Sequence, residues 1–79
     1  MNLYVISQSE ERDWDTYDSA VVAAENEDSA RRIHPGGYSE DDWSSRSWAH
    51  SPENVTVRLI GVAEPGVEPG VVVASFNAG

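Results

Sequence analysis

The chain contains no cysteine and no lysine, and its N-terminal apolar run, Leu3-Tyr4-Val5-Ile6, is only four residues long. Without cysteine there is neither a disulfide framework nor a thiolate metal site. A four-residue run is too short for a signal peptide core or a membrane span, and no basic leader precedes it, so a soluble cytoplasmic protein is expected. Positive charge is scarce: five arginines face fourteen acids, for a net charge of −9. That balance argues against direct binding to the phosphate backbone of nucleic acid or to an anionic membrane. Histidine occurs only at His34 and His50, without the spacing of a zinc site. No nucleophile or Gly-rich phosphate loop stands beside either one. The expectation is a non-enzymatic protein with no cofactor and no metal.

Seventy-nine residues make one domain, 1–79. A single core of this size leaves only about 3 to 5 kcal/mol of stability, for which self-association, most simply as a dimer, is a natural remedy. The charge is unevenly spread. Residues 1–42 hold eleven acids and three arginines, a net of −8, whereas residues 43–79 carry −1. One face or edge is therefore expected to be strongly negative.

The stretch from Tyr17 to Gly37 organises the rest. Tyr17 to Ala24 reads as a strand, with Tyr17, Ser19, Val21 and Ala23 on one face and Asp18, Ala20, Val22 and Ala24 on the other. Asn26 is a good N-cap. Glu27 and Asp28 then fall in a first helical turn and Arg31, Arg32 and His34 in the last, each sign matching the helix dipole. Pro35-Gly36-Gly37 stops the helix after about eight residues, and Ala30 and Ile33 form its buried stripe. A helix this short must be held by packing on a sheet.

Leu3 to Ser7 is a strand of good β-formers, joined to the next by an acidic loop, Ser9 to Thr16, that carries Trp14. Ser39-Glu40-Asp41-Asp42 resembles a capping box with Asp as its closing acid, which allows a short second helix through about Trp48. Val55 to Val62 alternates as a half-buried strand, and Val71 to Phe76 is the last strand. Between them lies a small duplication, Glu64-Pro65-Gly66-Val67 and Glu68-Pro69-Gly70-Val71, whose residues are those of turns. The expected fold is α+β: a small four-stranded, mainly antiparallel sheet in the order β-β-α-(α)-β-β, built from two hairpins, with helices packed on one face. The other face would be open. Val55, Val57 and Leu59, or their opposites, could give it an apolar surface for a dimer.

Asp13, Asp15 and Asp18 place three carboxylates in one loop, but the glycine and closing Glu of a calcium loop are missing, and a solvated acidic loop accounts for them. Trp14 stands between Asp13 and Asp15. A ring held at a loop tip among carboxylates suits a protein contact, since aromatic residues are enriched at interface hot spots. Glu10, Glu11, Asp13, Trp14 and Asp15 are therefore the candidate partner-binding residues. Trp43 and Trp48 have two readings. As lids over a thin core they would each bury a large area. As stacking platforms they would join Arg46, His34 and Asn77 in a site for a nucleotide or another small ligand.

The strings Asp15-Thr16-Tyr17-Asp18-Ser19-Ala20-Val21-Val22-Ala23-Ala24, Ala30-Arg31-Arg32-Ile33-His34-Pro35 and Ala74-Ser75-Phe76-Asn77-Ala78-Gly79 resemble a group of small proteins encoded by bacteriophages and prophages. The resemblance covers about half the chain and excludes residues 38–53. It implies the cytoplasm of an infected or lysogenic bacterium, and it carries over no catalytic residue. In that setting the charge and size point to an acidic protein that docks on a basic surface of a host protein, as an inhibitor, counter-defence or host-takeover factor. Its carboxylates could mimic nucleic-acid phosphates. The alternatives are a protein that sequesters a nucleotide signal and a minor virion or assembly component.

Overall fold

A computed structural model describes residues 1–8, 16–43 and 47–77. Strand β1 spans Asn2–Gln8, β2 Thr16–Ala24, β3 Val55–Val62 and β4 Gly70–Asn77. Helix α1, Glu27–Arg31, follows β2, and a single 3-10 turn at Pro52–Asn54 leads into β3. All three strand pairings are antiparallel, in the order β3-β1-β2-β4. The fold is thus the α+β arrangement expected from the sequence, with one helix on the sheet.

The strand order corrects one expectation. β1 and β2 form a hairpin at the centre, but β3 and β4 do not pair with each other. They flank the hairpin on opposite edges, and residues 63–69 cross from one edge to the other past the sheet end where β1 starts. Ala63 N–H donates to the Met1 carbonyl at 3.0 Å at the start of this crossing. Glu64 to Val67 then makes a tight turn, with Gly66 at φ 94° and Val67 N–H bonded to the Glu64 carbonyl at 3.2 Å. Pro followed by a left-handed Gly is the combination a type II turn requires. The second Pro-Gly does not repeat it, because Gly70 already pairs with Ala23 as the start of β4.

Register assigns each residue to a face. On one face Val57, Ile6, Ala20 and Ala74 form a row across all four strands, and Leu59, Tyr4, Val22 and Val71 form the next. This is the covered face. Helix α1 lies on it through Ala30, and the segment after the helix adds Trp48 and Ala49, all three completely buried. Coverage is narrower than the sheet: along β3, Val55 is buried and Leu59 is 59% exposed.

The helix begins as expected and ends earlier. Ser29 N–H donates to the Asn26 side-chain oxygen at 2.8 Å, the N-cap bond. Arg32 is already the C-cap, so α1 has five residues. His34 therefore lies beyond the last turn and is not the dipole-matching cation anticipated there. The second helix is also absent among the described residues. Asp42 N–H does bond to Ser39 Oγ at 3.3 Å and to the Ser39 carbonyl at 3.1 Å, so the capping signal forms a turn. The chain then leaves that turn to drive Trp43 against the core, where its indole N–H donates to the Ala49 carbonyl at 2.6 Å.

A third correction concerns Tyr17. Asp18 is an extra residue in β2 relative to β4, since Tyr17 pairs with Phe76 and Ser19 with Ser75. Such a bulge reverses which face the following side chain takes. Tyr17 consequently joins the core with Ala20 and Val22 instead of sharing a face with Ser19 and Val21. Val72 in β4 and Ile60 in β3 are extra residues of the same kind.

Candidate functional site

Of the residues expected to bind a partner, Glu10, Glu11, Asp13, Trp14 and Asp15 lie outside the described residues, as does Arg46 of the ligand-binding set. Asn77 is placed by its backbone alone, opposite Thr16 at the end of β4. The remaining three, His34, Trp43 and Trp48, are brought together. The His34 ring stands edge-on to Trp43 at 5.0 Å, to Tyr38 at 5.0 Å, to Tyr17 at 6.5 Å and to Trp48 at 6.5 Å. It is the hub of an aromatic cluster.

The centre of that cluster is interior packing, with Tyr38 at its exposed edge. Trp48 has no exposed surface and His34 retains 1%, so neither offers an open ring face to a base. Gly36 N–H donates to His34 Nδ1 at 2.9 Å. A ring nitrogen that accepts a hydrogen bond is unprotonated, which makes His34 a neutral imidazole with its proton on Nε2. The bend that allows this bond is tight at Gly36, where a Cβ would come within 3.1 Å of Nδ1 and of the Tyr38 ring, so that those rings would have to shift slightly to admit it. His34 thus works as a small polar aromatic that fixes the path of the chain after α1.

The outer surface of the covering layer is acidic. Glu25, Glu27, Asp28, Glu40, Asp41 and Asp42 are all exposed there. Arg32 joins the helix to the following turn: its Nε bonds to Asp28 at 3.2 Å and its Nη1 to Glu40. These two carboxylates, Asp28 first, hold the Arg32 guanidinium above its usual pKa. One of the few cations is therefore already engaged. Beside it, Glu27, Asp28, Arg31, Arg32, Pro52 and Glu53 line an open groove of about 320 Å³, of mixed charge. Among the described residues no cluster of three or more histidine or acidic side chains is placed to hold a metal ion.

The opposite face of the sheet has a different chemistry. Pairing places Thr56, Ser7, Ser19 and Ser75 in one row across all four strands, Arg58, Val5, Val21 and Val73 in the next, and Gly61, Leu3, Ala23 and Gly70 in the third. Above the valine row lies a shallow groove of about 160 Å³, lined by Val5, Val21 and Val73 together with Ser19 and Ser75. Its apolar part comes from β1, β2 and β4, whereas Val55, Val57 and Leu59 belong to the covered face. The individual strands show these residues by their alternation. Their assembly into rows depends on strand order and bulges, which have no local signature.

Compared with known protein families, curated proteins and solved structures, the chain matches none. Among the described residues no helix is long and apolar enough to cross a membrane.

Proposed function

We propose that the chain is a non-enzymatic binding protein that docks an acidic surface on a basic surface of a host protein, as an inhibitor, counter-defence or host-takeover factor of the bacteriophage type. The observation that carries this reading is the concentration of exposed carboxylates in the helix and turns that follow β2. Glu25, Glu27, Asp28, Glu40, Asp41 and Asp42 share the outer surface of the covering layer, and Arg32 is engaged within it. Such a field speeds encounter with a cationic partner and repels anionic ones. An array of carboxylates can also occupy a groove built for nucleic-acid phosphates. In sequence, Glu10, Glu11, Asp13 and Asp15 add four more carboxylates, and Trp14 among them is the proposed anchor.

The test begins with capture of the host partner and its identification by mass spectrometry, followed by calorimetric titration at several salt concentrations. Two variants remove charge without changing shape. One carries Glu10→Gln, Glu11→Gln, Asp13→Asn and Asp15→Asn; the other carries Glu25→Gln, Glu27→Gln and Asp41→Asn. Each is expected to weaken binding and flatten its salt dependence. Affinity and salt slope unchanged in both variants would overturn the proposal.

A further inference from the structure

We infer that the open face of the sheet, centred on Val5, Val21 and Val73, is the surface on which two copies of this chain pack as a dimer. The first argument is electrostatic. None of the twelve positions in the three open-face rows is acidic, and the single charge among them is Arg58 at the β3 edge. In a molecule of net charge −9, this is the side on which two copies approach with least repulsion. A basic partner would find no carboxylate within these rows to pair with.

The second argument is chemical. A two-fold interface sets a surface against itself, so its chemistry must be self-complementary. Valine against valine meets that condition. So do the hydroxyls of Ser7, Ser19, Ser75 and Thr56, each of which is both donor and acceptor. The flanking Gly61 and Gly70 are small enough to let a second sheet lie close, Ala23 in the same row being already buried, and the groove over the valine row can take an aliphatic side chain of the facing copy.

The area sets the expected strength. Four strands at about 4.8 Å spacing and about 23 Å of length present roughly 440 Å² per copy, or about 900 Å² in all. That is below the standard size of about 1,600 Å² and fits a reversible dimer. The acidic outer surfaces of the covering layers then face away from each other, so the dimer leaves both free for a partner.

Sedimentation equilibrium of the full chain over about 1 to 200 μM tests this. The mass is expected to rise from 8.6 kDa toward twice that value, and association is expected to tighten as NaCl screens the repulsion. Val73→Glu, at a position 59% exposed on an edge strand, should keep its far-UV circular dichroism and weaken the dimer at least tenfold. Val72→Glu, at the bulge outside the rows, should dimerise nearly as the parent does. A mass that stays at 8.6 kDa throughout, a Val73→Glu variant that dimerises normally, or association weakened by salt would each overturn the inference. The salt response separates it from the proposed host contact, which added salt should weaken.

Discussion

The two faces of the sheet use similar strands for opposite purposes. On the covered face, Ile6 and Val22 are fully buried beneath Ala30, Trp48 and Ala49, and removing apolar area from water there holds the monomer together. On the open face, Val5 and Val21 of the equivalent row are half-buried, and Val73 is 59% exposed. The difference does not lie in the strands, which carry valine and alanine on both sides. It arises because one short covering layer can close only one side, so a substitution should unfold the chain on one face and change its association on the other.

The sharpest way to break this comparison is Trp48→Ala against Val73→Ala. Truncating the buried indole is expected to cost about 3 to 5 kcal/mol, comparable to the whole stability of a domain this size. Urea titration should find the variant largely unfolded, with Val73→Ala close to the parent; equal effects would mean that the open face also holds the monomer fold. A smaller contrast lies within β3. Val55→Ala, at a position 3% exposed, should cost about 2 kcal/mol and Leu59→Ala less than about 1 kcal/mol, measured as the shift in urea midpoint. Equal losses would mean that the covering layer reaches farther along β3.

Asn26→Ala removes the bond from Ser29 N–H and is expected to cost about 1 kcal/mol. Asn26→Asp keeps a side-chain oxygen in the same place and should unfold close to the parent, which would show that the cap is responsible. The smallest effect should come from Arg32→Gln, since its ion pairs with Asp28 and Glu40 are exposed and screened. Because its pKa is raised by these carboxylates, whatever stability they contribute through the cation is fully present below the ordinary arginine pKa. It is lost only as pH rises through the higher folded value. Thermal unfolding between pH 6 and 9 should therefore respond alike in parent and Arg32→Gln.

Much of the fold was legible from local pattern. The Asn26 cap, the four strands and the turn at Pro65-Gly66 all depend on residues close together in the chain, where side-chain periodicity and backbone preference act directly. The failures occurred where distant segments decide. Asp42 does bond to Ser39, but burying Trp43 competed with extending that turn into a helix. His34 has the right spacing for a helix C-terminal cation, yet the helix ends at Arg31 and the ring is drawn into the aromatic cluster. For the candidate surfaces, the acidic character could be counted from composition, while the open-face rows could not be seen until the strands were in register.

By itself the sequence determined the class of elements, the acidity, and the exclusion of disulfide and thiolate chemistry, because these follow from residue type and short-range spacing. Tertiary structure alone decided that β3 and β4 take opposite edges and that bulges at Asp18, Ile60 and Val72 reset the faces. It also decided that Trp43 and Trp48 close the core while a valine and hydroxyl face remains open. Those outcomes depend on which surfaces meet across the chain, and a pairing between strands far apart in sequence, such as β1 with β3, leaves no mark on either strand alone.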